Sequence, residues 1–159
     1  RLWVANDPTA AGWEVVSMGE VHPSVTLGRP PGSAIELTMA SRGKLALADY
    51  AALMNEAAIG IGLMLSPHPS YPPLEMAAFG MRVLTNRFEG KALAAQHPNV
   101  HDLDEPTPQA IAAGVPALVA RFESVGSAGW SDPPGEFARS RPPFDFIEPL
   151  RSAWLDDAG

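Results

Sequence analysis

The stretch "AIGIGLMLSPHPSYPPLEMAAFGMRVLTN", residues 58–86, decides the fold. It opens with an apolar run at 58–65, crosses a loop rich in proline, resumes as a helical "LEMAAFG" and closes with a second apolar run at 81–86. An apolar run without alternation is typical of a parallel strand that is covered on both faces. The stretch therefore predicts a strand, a helix and a second parallel strand, with 58–65 as a central strand of the sheet.

The rest of the chain continues this alternation of strands and helices. Strands are predicted at 12–20, 34–40 and 99–103, and helices at 46–57, 88–96 and 107–124. The segment 22–33 holds three prolines and two glycines and is predicted to be a loop. In the last helix, Thr107 is the expected N-cap, while Gly114 and Pro116 should kink or split the helix.

These patterns predict one α/β domain over residues 1–159, with a Rossmann-like parallel sheet and flanking helices. Residues 126–159 are expected to form a Pro/Gly-rich loop and a C-terminal helix. With 159 residues, of which 46% are hydrophobic, the chain is long enough for one core and too short for two. In such a fold, ligands bind at the carboxyl ends of the strands.

Composition argues against several function classes. The formal charge of −7 argues against nucleic acid or an anionic membrane as the main partner. The longest apolar run, 57–65, is too short to span a bilayer. The absence of cysteine excludes disulfides and thiol catalysis. His22, His97 and His101 lack the spacing of a helical metal site, so they are expected on the surface or in turns, and no metal is expected.

The start of the helix after the proline-rich loop has groups that can bind a ligand. Pro72 and Pro73 suit the first turn of a helix, where a missing N–H costs little. A helix N-terminus offers free N–H groups and a partial positive charge, which together favour a phosphate. Glu75, expected in the first turn, has two oxygens that can accept hydrogen bonds from the hydroxyls of a ribose. The alternative is that Glu75 only complements the helix dipole.

Residues 44–93, which contain "SPHPSYPPLEMAA", carry a family resemblance. The run resembles the donor-nucleotide-binding, C-terminal half of GT-B glycosyltransferases, and within them the bacterial rhamnosyltransferases that build surface glycans. The wider group has an acidic residue, seven others, and then a glutamate that opens a helix ending like "AMACG". Here Glu75 and "MAAFG" match the second half of that pattern, whereas Pro67 stands at the first acidic position.

The resemblance implies a site for a pyrimidine nucleoside diphosphate. The residues implied to line the base pocket, largely by backbone, are Gly43, Lys44 and Leu45. The residues implied to face the diphosphate are Tyr71, Pro72, Pro73 and Leu74. Glu75 matches the glutamate that holds the ribose hydroxyls. His68 and Ser70 would lie near the sugar, and Asn86 and Lys91 match a further family segment that has no assigned role.

The implied function is transfer of a sugar, with rhamnose favoured, from a dTDP- or UDP-sugar to a glycan acceptor, without a metal. The first predicted strand, at 12–20, matches the second strand of the family's order. The chain is therefore predicted to be a fragment that begins with the end of a helix at 1–7, lacks the first strand and the acceptor-binding N-terminal domain, and has no turnover alone. A bacterial cytoplasmic location is implied, either free or at the membrane periphery through the parent protein.

Two other functions stay open at this point. A nucleotide-sugar epimerase of GT-B architecture would bind the nucleotide through the same residues, but it needs further acid and base groups near the sugar. A non-catalytic α/β nucleotide-binding or scaffold module would use Glu75 only as part of a helix terminus.

Overall fold

The computed structural model describes residues 1–65 and 71–125, which form an α/β fold with two three-stranded sheets. The helices are α1 (Leu2–Asn6), α2 (Leu47–Glu56), α3 (Tyr71–Ala78) and α4 (Pro108–Val125). The strands are β1 (Val15–Ser17), β2 (Val25–Gly28), β3 (Leu37–Ser41), β4 (Ile59–Ile61), β5 (Arg82–Asn86) and β6 (Val100–Leu103). Two 3₁₀ turns occupy Pro8–Gly12 and Leu93–Ala95. The loop and helix predicted at 126–159 lie outside the described residues.

The second sheet has the parallel, helix-flanked arrangement of a Rossmann-like fold. Its strand order is β4-β5-β6, and both pairings are parallel. Every residue of β5 is buried. Neighbouring β5 residues Val83 and Leu84 belong to different core clusters, one shared with α3 and the other with α4. Because successive side chains of a strand point to opposite faces, α3 and α4 cover opposite faces of this sheet.

A parallel strand within residues 58–65 is confirmed, since β4 pairs with β5 in parallel, but its predicted central position is wrong. Strand β4 covers only Ile59–Ile61 and, within the described part of the chain, lies at the edge of the sheet. The side chain of Ile61 is 51% exposed. The central position belongs to β5, which pairs with a strand on each side. Hydrophobicity could not show which of the runs 58–65 and 81–86 is the central strand, because both are apolar. Only strand pairing distinguishes an edge strand from a central strand.

The first sheet contains a strand that the sequence did not predict. Its order is β1-β3-β2, with β1 parallel and β2 antiparallel to β3. Strand β2 lies inside the segment 22–33, so the loop prediction is wrong there. The β-prone "VTL" is flanked by prolines and glycines, whose loop-like composition obscures a short strand.

The helix predicted at 88–96 is also wrong. Phe88 and Lys91 instead exchange two backbone hydrogen bonds, of 3.2 and 2.9 Å, across a tight turn. Glu89 and Gly90 both have positive φ, as a type I′ turn requires. The 3₁₀ turn Leu93–Ala95 follows.

Helix α4 is confirmed, but it is not split. It runs without interruption from Pro108 to Val125, with Pro116 inside it. Thr107 is its N-cap, because the Thr107 hydroxyl accepts a hydrogen bond of 3.1 Å from the Ala110 N–H. None of the described helices is both long enough and apolar enough to cross a membrane.

Tryptophans connect the two sheets. Trp3 of α1 packs against the core of the first sheet and also against the cluster that α4 shares with the second sheet. Trp13 meets Phe122 of α4 edge to face, with ring centroids 6.0 Å apart. These contacts fix the first sheet against α4, and thereby position the ends of its strands relative to the second sheet.

Candidate functional site

A side-chain hydrogen bond joins α2 to α3. The Tyr50 hydroxyl of α2 donates to Glu75 Oε2 of α3 over 2.9 Å. Each helix follows the carboxyl end of a parallel strand, since α2 comes after β3 and α3 comes after β4. Ligands of open α/β sheets bind at such carboxyl ends. We therefore take the region around this hydrogen bond as the candidate functional site.

Helix α3 begins earlier than the sequence suggested. It starts at Tyr71, so Glu75 is its fifth residue and the first turn has no acidic residue. The expectation that Glu75 lies in the first turn is wrong, because Pro72 and Pro73 are themselves helical. Both prolines are tolerated there since first-turn N–H groups have no partner inside the helix. Pro72 and Pro73 have no N–H, so Tyr71 is the one residue among the first three of α3 that has an N–H group to offer to an anion.

The side chains of α3 divide into two groups. Pro73, Leu74, Met76 and Ala77 are buried against the second sheet, so Leu74 and Pro73 can meet a ligand only through their main chain. Tyr71, Pro72 and Glu75 are exposed. Glu75 therefore projects away from the core and carries a carboxylate at the surface.

The loop between β3 and α2 is held in one conformation by its neighbours. Gly43 has φ +63°, and a side chain there would also come within 2.9 Å of Val21 Cγ2. The Gly43 N–H donates to Ser41 Oγ over 3.3 Å, and its carbonyl accepts from the Gly19 N–H over 3.0 Å. Gly43 is thus buried and engaged, and a glycine is required at this position.

Lys44 and Leu45 follow Gly43 directly and are more accessible to a ligand. Lys44 is exposed and Leu45 is half-buried. The Leu45 side chain, with Arg42 and residues of α2, lines a hollow of about 260 Å³. Among the described residues, no hydrogen bond engages the backbone N–H of Lys44 or of Leu45. Of the three residues predicted to line a base pocket, Lys44 and Leu45 therefore have backbone N–H groups that could bind a base.

A network of hydrogen bonds connects this loop to β1 and to the segment that follows β1. Ser17 Oγ lies 2.5 Å from His22 Nε2, and His22 Nδ1 lies 2.7 Å from the Pro23 carbonyl. The His22 N–H donates to Ser41 Oγ over 3.3 Å. The same Ser41 hydroxyl accepts from Gly43, so the network links the end of β1 to the loop before α2. The sequence does not show this network, because its link from His22 to Ser41 spans 19 residues and depends on the pairing of β1 with β3.

Asn86 is buried at the carboxyl end of β5 and pairs with the segment after β4. Its Oδ1 accepts from the Met64 N–H over 2.7 Å, and its Nδ2 donates to the Met64 carbonyl over 3.1 Å. Nδ2 also donates to the Arg87 carbonyl over 2.9 Å. The side chain of Asn86 thus holds the chain just before the proline-rich loop. Lys91 is half-buried and lies in the tight turn that follows β5.

The remaining predicted residues lie in different places. His68 and Ser70 are outside the described residues. His97 is buried, so it does not lie on the surface, but the Val100 N–H donates to the His97 carbonyl over 3.1 Å, which places His97 at the start of a turn, the other location predicted for it. Its Nδ1 accepts from the Asn99 N–H over 3.1 Å. His22 is half-buried and His101 is exposed.

The acidic side chains near β6 have structural partners. Asp102 accepts from the N–H groups of Leu93 and Ala94 at 3.2 and 2.9 Å, which caps the start of a 3₁₀ turn. Asp104 lies 3.4 Å from Arg87 in an exposed ion pair. Within residues 1–65 and 71–125, no three His, Asp or Glu side chains are grouped so that they could hold a metal ion.

The hydroxyl that sequence reasoning missed is that of Tyr50. Its place in the pattern Tyr50, Leu53, Met54 and Ala57 predicted a buried stripe, and the Tyr50 ring does pack against the core of the second sheet. Burial, followed by the hydrogen bond to Glu75 and the negative charge of Glu75, raises the pKa of Tyr50 to about 12. The phenol is therefore a hydrogen-bond donor throughout the physiological pH range.

Comparison with known proteins identifies the family to which the chain belongs. The family model described as WsaF, C-terminal domain, matches residues 1–116. This chain belongs to that family. The WsaF C-terminal domain is associated with glycosyltransferases, and WsaF itself is a rhamnosyltransferase. No curated protein matches the chain significantly. The WsaF-like match includes both sheets, α2, α3 and the Tyr50–Glu75 contact.

A second concavity lies outside the candidate site. A groove of about 420 Å³ between α1 and α4 is lined by Leu2, Trp3, Asn6, Asp7, Ala112, Ala113 and Pro116. It contains none of the residues predicted to bind a nucleotide and one ionisable side chain, that of Asp7. This groove is larger than the hollow beside Leu45, but the chemistry favours the strand ends, which carry the exposed Glu75 carboxylate and the backbone N–H groups of Lys44 and Leu45.

Proposed function

We propose that this chain is the donor-nucleotide-binding domain of a glycosyltransferase of GT-B architecture. The reaction would transfer a sugar, with rhamnose favoured, from a dTDP- or UDP-sugar to a glycan acceptor. Membership of the WsaF C-terminal domain family supports the reaction class. The observation that carries the proposal is the exposed Glu75 carboxylate at the strand ends, joined to the start of α2 directly after the loop 43–45.

Each part of the nucleotide has a matching group in this site. The open backbone groups of Lys44 and Leu45 suit the imide edge of a pyrimidine, which presents a donor between two acceptors. The Glu75 carboxylate suits the sugar hydroxyls, because an ionised carboxylate only accepts hydrogen bonds. The Tyr71 N–H and the positive end of α3 suit the diphosphate. Negative charge grows on that diphosphate as it leaves, so groups that stabilise it would favour the transfer.

The two prolines of α3 make this diphosphate site unusual. They remove two of the four N–H donors that a helix start normally offers, while leaving the aligned peptide dipoles in place. We infer that the helix supplies mainly its dipole and the Tyr71 N–H, and that the exposed Lys44, in the loop before α2, supplies a full positive charge.

The base preference tests this proposal. In calorimetric titrations of the 159-residue chain, dTDP and UDP should bind at least 10-fold more tightly than ADP. The reason is that the backbone of residues 44 and 45 reads the imide edge, and adenine has a different edge and a greater width. Equal or tighter binding of ADP would contradict the proposal.

As a control, the dTDP titration is repeated in EDTA and in the presence of magnesium or manganese. Binding of dTDP in EDTA should match binding in magnesium or manganese, since the helix end and Lys44 stabilise the diphosphate in place of a cation. A loss of binding in EDTA that magnesium restores would show that the diphosphate is held through a metal.

A further inference from the structure

The groove between α1 and α4 contains a helix carbonyl that lacks its usual donor. Pro116 lies inside α4 and has no N–H, so the Ala112 carbonyl does not receive the hydrogen bond that residue i+4 normally gives it. Residues i and i+4 lie on the same face of a helix, and the carbonyl of residue i points toward residue i+4. Because Ala112 and Pro116 both line the groove, this carbonyl lies in the groove wall.

The α1 side of the groove carries a negative charge on Asp7. The Trp3 indole N–H donates to Asp7 Oδ2 over 2.9 Å, and the N–H and hydroxyl of Thr9 donate to Asp7 Oδ1 over 2.9 and 2.6 Å. The hydrogen bond from the Thr9 hydroxyl is the main reason why the pKa of Asp7 is lowered, so the carboxylate is ionised near neutral pH. An ionised carboxylate has about four acceptor positions, so the donors among the described residues leave one open on Oδ2.

Asn6 adds a third acceptor to the groove. Its Nδ2 donates to the Leu2 carbonyl over 2.7 Å, and no hydrogen bond from the described residues reaches its Oδ1. None of the described residues that line the groove is basic, and Asp7 is in no ion pair with another described residue. The groove thus combines hydrogen-bond acceptors with a negative charge, which suits a cation that carries several donors.

We propose that this groove is a binding site for a primary ammonium group on an aliphatic stem. An ammonium has three N–H donors, which matches the acceptors of Asn6, Asp7 and Ala112. The side chains of Leu2 and Trp3 would cover the stem. The groove volume of about 420 Å³ lies within the range of small-ligand pockets, roughly 300–1,000 Å³. The site is separate from the proposed nucleotide site, because no residue assigned to the nucleotide lines it.

The experiment titrates the ¹⁵N-labelled 159-residue chain with n-butylammonium at constant ionic strength, followed by nuclear magnetic resonance. The indole N–H of Trp3 and the amides of Asn6 and Ala113 should shift and reach saturation. n-Butanol keeps the stem without the charge and should bind at least 10-fold more weakly, because hydrogen bonds between charged groups are the stronger ones. Equal binding of n-butanol, or shifts that do not saturate, would overturn the proposal.

Two substitutions test two of the acceptors separately. Asp7→Asn keeps the size and the capping ability of the side chain but removes the charge, so it should weaken n-butylammonium binding by about 10-fold or more. Pro116→Ala restores an N–H that can pair with the Ala112 carbonyl, so it should weaken binding by about 2- to 10-fold, the range for one neutral hydrogen bond. The matched control is Pro108→Ala at the start of α4, where a first-turn N–H has no partner inside the helix, and binding should not change.

The outcomes decide the site without reference to the nucleotide. Thermal unfolding checks that each variant is folded, and unchanged n-butylammonium binding in folded Asp7→Asn or Pro116→Ala overturns the proposed site. A second probe, Nα-acetyl-lysine N-methylamide, identifies the source of the ammonium group. Binding as tight as that of n-butylammonium indicates a lysine side chain of a partner protein, and its absence indicates a free alkylamine. The dTDP affinity enters none of these results, so the ammonium site and the nucleotide site stand or fall separately.

Discussion

Replacing Glu75 with alanine is expected to weaken dTDP binding by about 10- to 100-fold while the chain stays folded. Hydrogen bonds to a charged group contribute roughly 1.5–3 kcal/mol, which corresponds to this loss of affinity. Glu75 is exposed, so its removal leaves no cavity. The fold loses only the hydrogen bond from Tyr50, an exposed contact of 2.9 Å. We expect the melting temperature to fall by no more than a few degrees.

Calorimetry and thermal unfolding on the same sample separate the two possible roles of Glu75. If Glu75 only joins α2 to α3, the melting temperature falls and the dTDP affinity does not change. A matched control is Glu123→Ala, which removes an exposed glutamate from α4 and should change neither quantity. Unchanged dTDP affinity in folded Glu75→Ala would favour the non-catalytic scaffold function over the nucleotide site.

Replacing Asn86 with alanine is expected to lower the free energy of unfolding by about 2–4 kcal/mol. The buried amide makes three hydrogen bonds to main-chain groups, two of them to Met64. Without it, the Met64 N–H and carbonyl lose their partner, and each unsatisfied buried group costs about 1–3 kcal/mol. The melting temperature should fall by about 5–15 °C. Denaturant unfolding, followed by tryptophan fluorescence, measures the change directly.

The control for this substitution is Asn55→Ala, at an exposed position of α2. It removes the same amide from a site without a hydrogen-bond network and should change the free energy of unfolding by no more than about 0.5 kcal/mol. Asn86→Asp is informative as well, because it keeps an acceptor for the Met64 N–H but buries a charge. Equal stability of Asn86→Ala and Asn55→Ala would contradict the anchoring role of Asn86.

The sequence predicted the parts of the fold that depend on local pattern. The runs 81–86 and 99–103 are strands β5 and β6, the helical stripe at 46–57 is α2, and Thr107 caps α4. In each case hydrophobic spacing or a capping residue acts over a few positions. The same local signals failed for β2, because the strand has only four residues and the flanking prolines resemble loop composition.

The candidate site was predictable only in part, for the same reason. Glu75 and the residues of the 43–45 loop were found through a sequence resemblance. Glu75 and Lys44 are exposed, whereas Leu45 is half-buried and Gly43 is buried. Tyr50 was missed as a polar partner because 25 residues separate it from Glu75 and its spacing indicated a buried apolar face. Asn86 was noticed, but its bonds to Met64 across 22 residues could not be read from composition.

The most direct test of the central claim is a nuclear magnetic resonance titration of the ¹⁵N-labelled chain with dTDP. The account predicts that the perturbed amides concentrate at Lys44, Leu45, Tyr50 and the start of α3, with Glu75 among the largest shifts. Perturbations that are absent from these residues, or that instead cluster in the groove lined by Trp3, Asn6 and Ala113, would contradict the account.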